Sequence, residues 1–505
     1  MTVWLLGDQL DPTTTPLDTA DHVLLIEAHA FAERRRYHPQ KLTLVFSAMR
    51  HFREELRDRG YEVTYLEAET FGDGLDRYFD ANPGDHLVGV RSPSHGADDR
   101  RGRLVEERGG TLTLVENDLF LTTREEFDTW AEETGGDDDG SRTFRQETWY
   151  RHVRRQTGIL MDGSDPVGGE WNYDDDNRET PPPEWTPPDV PRFEPDEITR
   201  EVQAFVADRY DDHWGDPEGF VWPVTRTEAR HALEHFVSVR LPEFGPYQDA
   251  MVDDEWALCH SLLSAALNLG LLRPEAVVDA AVDAYESGSA PLNSVEGFVR
   301  QIVGWREFMR HVYRRSMPDL ATANQLDQTE SLPPAYWDGE TDMQCLSEAV
   351  DHVHDHGYAH HIERLMVLSN FALLYGVDPD ELNEWFHLGF VDAYHWVTTP
   401  NVVGMGSFGT DVLSSKPYAS SANYIDKMSD HCASCPYAKS KTTGENACPF
   451  NALYWDFLKR NEETLRGTGR MGLMYSHVDR KDDDEWNAIR ARAADLRERA
   501  ADGEL

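Results

Sequence analysis

Lysine is almost absent from this chain: seven of its 48 basic residues are Lys and 41 are Arg, set against 93 Asp and Glu. The resulting formal net charge of -45 excludes a protein that binds nucleic acid over its whole surface, because neutralising phosphates takes Lys and Arg. Disorder is excluded as well. With 39% hydrophobic residues, 14 Trp and 21 Phe, the chain has the apolar mass that disordered acidic proteins lack. The acid must therefore coat a packed core. Asp137–Asp139, Asp174–Asp176 and Asp482–Asp484 fall in apparent loops. The pattern predicts a surface tuned to very high salt, as in a protein from a halophile, where charges are screened over about 3 Å.

Other absences narrow the class. No apolar run reaches the roughly 18 residues of a membrane span, and no basic stretch precedes the apolar Thr2-Val-Trp-Leu-Leu6. The expectation is a cytoplasmic protein without span or signal peptide. Five cysteines, three of them clustered, fit a reducing compartment better than a disulfide framework. There is no G-x-G-x-x-G and no Walker A segment, which leaves an ordinary NAD or ATP site without support. A chain of 505 residues has room for about two or three domains.

The clustered cysteines stand in His431-Cys432-Ala-Ser-Cys435-Pro436, followed by Cys448-Pro449. Three thiolates leave a tetrahedral or cubane site one ligand short, and Cys345 and Cys259 remain to complete it. Cys259 lies in Trp256-Ala-Leu-Cys259-His-Ser-Leu-Leu263, whose apolar spacing reads as helix, where a lone cysteine is a small buried hydrophobe. Cys345 follows the polar Trp337-Asp-Gly-Glu-Thr-Asp-Met-Gln344 into a helix start, so it is the better fourth ligand. Four Cys ligands suit structural Zn or a 4Fe-4S cluster, and the two Cys-Pro steps lean toward iron-sulfur. Lys416, Lys427, Lys439 and Lys441 share this segment with Tyr418 and Tyr424. A local basic face is what an acidic DNA binder would keep.

Residues 1–131 alternate short β-rich runs with amphipathic stretches. Thr2–Leu6, His22–Ala28, Leu42–Ala48, Glu62–Ala68, His86–Ser92 and Leu112–Asn117 read as strands, giving a parallel α/β, Rossmann-like domain. Gly7, Asp8 and Gln9 leave the first strand at its carboxyl end, the ligand side of such a sheet. Residues 132–197 are Gly/Asp/Pro-rich and read as a linker, with a helical island at Arg145–Thr157 and Trp171-Asn-Tyr173 as an anchor. From 198 to 505 the period is 3.6, predicting an all-α domain with helices that include Trp256–Leu267, Ser294–Arg314, Tyr358–Leu374, Asp380–Tyr394 and Asn451–Arg460. The tail after Lys481 reads as a peripheral helix.

On a helix behind an α/β domain, Trp305-Arg306-Glu307 resembles the flavin-domain motif of the photolyase/cryptochrome family. His260-Ser261-Leu262-Leu-Ser264 resembles that family's flavin phosphate-gripping T-S-x-L-S with His in place of Thr. Tyr247 sits where an adenine-side Tyr precedes that motif, and Gln301 joins the same flavin-binding set. Tyr358-Ala-His360-His361-Ile-Glu-Arg364 resembles the H-H-x-x-R of (6-4) photolyases. Asp392 then matches the flavin-facing aspartate that pairs with Arg364, and Asn401 the neighbour of flavin N5. The four cysteines, with Lys416-Pro-Tyr418 and Ser421-Ala-Asn-Tyr424, resemble the iron-sulfur bacterial and archaeal branch, the photolyase-related proteins. The resemblance runs from Gly7-Asp8-Gln9-Leu10 and Phe46-Ser-Ala-Met-Arg-His51 through Thr157-Gly-Ile-Leu-Met-Asp-Gly163 to the cysteines. There are two departures from it. The second histidine of eukaryotic (6-4) enzymes falls on Leu365, and antenna contacts of lumazine-binding relatives fall on Phe31 and Arg34.

The resemblance implies FAD, a 4Fe-4S cluster on Cys345, Cys432, Cys435 and Cys448, and a lumazine-type antenna chromophore near Gly7, Asp8 and Gln9. It implies a monomeric lyase that repairs (6-4) photoproducts in UV-damaged DNA with light. His361 would be the proton donor beside His360, with Tyr418, Tyr424 and Met405 lining the lesion pocket and Trp385 and Trp337 passing electrons to the flavin. The alternatives are a cryptochrome-like blue-light photoreceptor, a cyclobutane-dimer photolyase, or a zinc-stabilised nucleic-acid-binding protein without flavin. In the bland reading of the same residues, the histidines 352–361 solvate helices and the tryptophans fill core.

Overall fold

The computed structural model describes residues 1–134, 144–468 and 471–505; Asp137–Asp139 and residues 135–143 of the expected linker lie outside the described residues. Short β-rich runs separated by helices favour parallel pairing, because each helical crossover carries the chain back to the end of the sheet where the preceding strand began. The sheet has β1 (Thr2–Leu5), β2 (His22–Ala28), β3 (Glu62–Ala68), β4 (His86–Val90) and β5 (Thr111–Val115) in the order β3-β2-β1-β4-β5. All neighbours are parallel, with Val3 opposite both Val23 and Val88. The strand order reverses between β1 and β4, so a crevice opens beyond their carboxyl ends.

Leu42–Ala48 is not a strand. It lies inside a helix from Pro39 to Asp58, started by Pro39 and capped by His38, whose Nδ1 accepts from the Gln40 N–H at 3.2 Å. Leu42, Leu44, Phe46 and Ala48 are buried, and so are Thr43 and Ser47 between them. A short apolar run buried all round has no period that separates helix from strand. This helix ties the sheet to the rest of the chain. Lys41, buried and with its ammonium pushed down to about 7 by burial, donates to the carbonyls of His387 at 2.9 Å and Ala393 at 2.7 Å.

Beyond the sheet the described residues are mainly helical, as the period predicts, but two expectations fail. Of Trp256–Leu267 only Ser264–Leu269 is helix. Leu258 and Leu262 take φ of 38° and 58°, outside right-handed helix, and the apolar pattern reported their burial rather than their conformation. The tail is not peripheral. Helix Asp483–Ala501 buries Trp486, Ile489, Ala493 and Leu496 in one core with Leu453 and Phe457 of helix Pro449–Arg460. Its acidic run is a helix start, with Asp482 accepting the Glu485 N–H at 2.8 Å and Asp483 and Asp484 in the first turn, where the helix dipole favours negative charge. Helix Gln146–Thr157 buries Trp149 and Tyr150, and the Tyr150 hydroxyl donates to Glu296 at 3.0 Å. Trp171 lies under Arg151, Arg154 and Arg155. Among the described residues no helix is long and apolar enough to cross a membrane.

Replacing Trp486, which is 6% exposed, by Ala should destabilise the protein by about 3–5 kcal/mol. Chemical denaturation followed by circular dichroism should show the loss as an earlier transition; a peripheral tail would leave it unmoved.

Candidate active site

Wide i→i+5 turns interrupt the helices at Arg300–Arg306, Glu363–Ser369 and Pro400–Gly406. Such turns cost regular hydrogen bonding and cluster at functional sites because they re-aim side chains. They hold Gln301, Trp305 and Arg306 in the first, Arg364 in the second, and Asn401 and Met405 in the third.

Arg364 grips both carboxylate oxygens of Asp392 at 3.1 and 3.0 Å. Ser264 Oγ donates to the same carboxylate at 2.7 Å, and Asn268 holds the Asp392 carbonyl at 2.9 Å. Arg364 is fixed in turn by the Ala359 carbonyl at 2.6 Å and by the Phe390 ring 4.3 Å below its guanidinium. Asp392 is buried, and a buried carboxylate stays charged only with such a partner.

Next to this pair stand three imidazoles. His360 is fully buried and stacks on His260 at 4.7 Å with planes 8° apart, while the half-exposed His361 presents its edge to His260 at 5.3 Å. Burial first, and then the charges of neighbours that include His361 and Arg364, hold the His260 and His360 rings well below the usual histidine range. They are neutral. His260 Nε2 and both His360 nitrogens have no hydrogen-bond partner in the protein. The three rings offer nitrogens within 4.8 Å of one another, yet ring lone pairs lie in the ring plane, so the parallel His260 and His360 do not converge on one ion. His361 instead faces the Asp249 carboxylate, 3.5 Å from its Nε2. Asp249 also acts on Tyr424, whose phenol is raised by burial first and then by that carboxylate. Tyr418 is half-buried in the same segment.

The remaining expected residues divide. Tyr247 lies tilted against Trp185 with centroids 4.9 Å apart, Ser261 Oγ accepts the Leu263 N–H at 3.4 Å, and Gln301 and Asn401 donate to the carbonyls of Gly297 and Val397. Trp305 is half-buried on the core and meets Phe308 at 6.4 Å. Arg306 turns away from Asp392. It donates to the Leu119 carbonyl and stands 4.4 Å over Phe120, lining with Asp8, Pro93, Asn117 and Trp396 a small cavity at the β1/β4 switch point. There the Asp8 carboxyl is pushed up to about 6 by burial, Gln9 donates to the Val90 carbonyl at 3.1 Å, and a Cβ at Gly7 would stand 2.9 Å from Met49 Sδ. Trp385 is buried and Trp337 is 39% exposed, with Trp214 between them at 6.0 and 5.5 Å.

Cys345, Cys432, Cys435 and Cys448 line one cavity with Met343, Ile425 and Phe450. Burial pushes the Cys345 thiol far up, and the other three thiols add to it; Cys432 is pushed to about 11 and Cys448 to about 12. Cys259 is buried in the separate hydrophobic core, as its apolar setting predicts. Helix Gln344–His356 starts at the cavity with Cys345 and ends at Gly357. There φ is 60° and a Cβ would meet Val391 Cγ1 at 2.7 Å, and the chain turns directly into Tyr358–His361. Asp249 and Trp214 were not legible in the sequence: one is an aspartate among 93 acidic residues, the other a tryptophan in a polar loop.

A family model described as deoxyribodipyrimidine photo-lyase-related protein matches residues 3–222. A "(6-4) photolyase" of Agrobacterium fabrum is 42% identical over 97% of this chain and 98% of its own length. Among solved structures, a bacterial class III photolyase from Agrobacterium tumefaciens superposes with a TM-score of 0.57 at 17% identity, covering 99% of this chain and 96% of its own. A Synechocystis cryptochrome superposes at 0.59 with 12% identity, covering 99% of this chain and 98% of its own. An archaeal photolyase from Sulfolobus tokodaii does so at 0.52 with 15% identity, covering 81% and 83%. These structures share the fold, an α/β sheet domain followed by helices, and the near full-length identity settles the family: the chain belongs to the photolyase-related proteins.

Proposed function

We propose that this protein repairs (6-4) photoproducts in UV-damaged DNA with light, holding FAD against Arg364 and Asp392 and using His361 as proton donor. The observation that carries the reading is the half-exposed His361, paired with Asp249, beside the buried Arg364–Asp392 pair. The sheet domain, residues 1–131, would hold an antenna chromophore of lumazine type at Asp8 and its neighbours. Residues 132–197 would connect it to the flavin domain, 198–505.

The residues suit a flavin. His260 Nε2, Gln248 Oε1 and both His360 nitrogens are buried without partners, and leaving such atoms unpaired costs about 1–3 kcal/mol each. A polar, hydrogen-bonding ligand would satisfy them. Tyr247, His260, Ser261, Leu262, Ser264, Gln301, Trp305 and Asn401 would hold it around the Arg364–Asp392 pair. Arg306 joins that set least well, since it faces the sheet. When bound, the reduced cofactor supplies the electron that light drives into the lesion. The chain's own work is placement and proton delivery. A lesion inside a duplex must be flipped out to reach the pocket, at a cost of a few kcal/mol that damage lowers. Tyr418, Tyr424 and Met405 would receive it, and the exposed Lys416, Lys427, Lys439 and Lys441 would meet phosphates nearby. Histidine suits transfer of a proton to the migrating hydroxyl because imidazole titrates near neutrality, and Asp249 is placed to orient His361.

The four thiols suit a 4Fe-4S cluster. They line a shared cavity, whereas one Zn with bonds of about 2.3 Å would draw them to about 3.8 Å of one another. They are not among the ligand groups gathered within 4.8 Å among the described residues. Such a cluster would tie the segment bearing Tyr418 and Tyr424 to the helix that leads into His361.

Illuminated, reduced protein should restore thymines in an oligonucleotide carrying a (6-4) lesion; photoreduction without any repair would point to a light sensor instead. His361→Ala should lower that repair by about 10²–10⁴-fold, the usual worth of a general acid, with flavin absorbance kept. Unchanged repair would remove the proton donor. Cys345→Ala should purify without iron and acid-labile sulfide, and wild-type protein carrying zinc in their place would contradict the cluster.

A further inference from the structure

His352 does not solvate its helix. It is 6% exposed, and with Cys345 and Glu348 it shares the face of helix Gln344–His356 that steps of three and four residues define. Its ring stands between two carboxylates. Nδ1 is 2.9 Å from Glu363 Oε1, and Nε2 is 3.6 Å from Glu348 Oε2. Burial pushes this imidazole down, but Glu363, then Glu348 and Asp351 on its own helix, outweigh that, so the ring keeps its proton to higher pH than a free histidine. The proton donation proposed above makes no use of it.

Each carboxylate has a second task, and each task concerns one member of the His361–Asp249 pair. Glu363 is buried, and its other oxygen accepts the His360 N–H at 3.2 Å. The helix begins at His361, so Glu363 is its third residue reaching back to the residue before the first, the return half of a capping box. That bond closes the turn from which His361 projects. Glu348 accepts the Asp254 N–H at 3.3 Å and the Gln344 amide at 3.0 Å, which holds the loop five residues beyond Asp249. Arg364, next after Glu363, has its own anchors in Asp392 and the Ala359 carbonyl. The Arg364–Asp392 pair therefore does not depend on His352.

We propose that His352 is a positioning residue for the proton donor, clamping Glu363 and Glu348 so that the His361 ring stands in register with Asp249 and the lesion, an inference that rests on the repair reading above. It touches no reacting group. Without it Glu363 is a buried carboxylate with no cation beside it, and the first turn under His361 is free to drift. A proton passes only between groups within hydrogen-bond reach, so the drift costs the transfer while flavin and lesion stay bound.

The test uses two amide variants that differ in which ring nitrogen they replace. In His352→Asn the amide falls where Nδ1 was and can still donate to Glu363; in His352→Gln it falls where Nε2 was and reaches Glu348 instead. His354→Gln, at a half-exposed position of the same helix, is the neutral control. Flavin content, far-ultraviolet circular dichroism, and kcat and KM for repair of a (6-4) oligonucleotide at fixed illumination are measured on each reduced protein. His352→Gln should lose kcat by about 10–10²-fold, the scale of a misplaced reacting group, with KM and flavin content unchanged, and His352→Asn should recover most of that loss. Wild-type kcat in His352→Gln would overturn the positioning role alone. Equal losses in both variants, or loss of fold and flavin with activity, would overturn it too and leave His352 a part of the core. Wild-type protein that repairs no (6-4) lesion would overturn the functional reading and the positioning role together.

Discussion

Asp392 is a carboxylate buried in a helical region, where Arg364 closes on both its oxygens, Ser264 donates to one of them, and Asn268 holds the backbone carbonyl of the same residue. Much of the surrounding structure is arranged to keep that group in place. The wide turn at Glu363–Ser369 aims Arg364, Phe390 supports the guanidinium from below, and Lys41 anchors the carbonyls of His387 and Ala393 on either side of the segment. Lys41 belongs to the helix that follows β2. The sheet domain thus reaches toward the Arg364–Asp392 pair by one buried ammonium, the only lysine of the chain outside its last hundred residues.

A second constraint acts from the other side. The four-thiol cavity joins the start of helix Gln344–His356 to the segment that carries Tyr424, and the end of that helix delivers His360 and His361. In the proposed reading, the proton donor and the lesion-binding tyrosines are held by opposite ends of one device. Its removal would loosen both without touching the flavin, which is why such a cluster can matter for repair without taking part in electron transfer.

What the sequence disclosed follows from which features are local. Five of six expected strands are present because β-rich runs bounded by turns are a local signal. Leu42–Ala48 was misread because its burial comes from packing on both sides. Cys259 stands apart from the cavity that the other four cysteines line because its apolar setting is itself local. Arg364 and Asp392 were legible only through resemblance, since nothing in the sequence between two residues 28 positions apart states that they meet. Asp249, Trp214 and the stacked His260 and His360 were hidden for the same reason, as was the docking of the tail helix, whose weak amphipathic pattern gave no sign of the core it completes.

The claim that the Arg364–Asp392 pair holds the flavin is tested most directly by measuring flavin content in Asp392→Asn. Removing the carboxylate charge leaves the partly buried Arg364 guanidinium without its ion-pair partner. The account predicts a protein with native far-ultraviolet circular dichroism that purifies with little flavin and regains it only at high added FAD. Flavin bound at the wild-type ratio and affinity would contradict it.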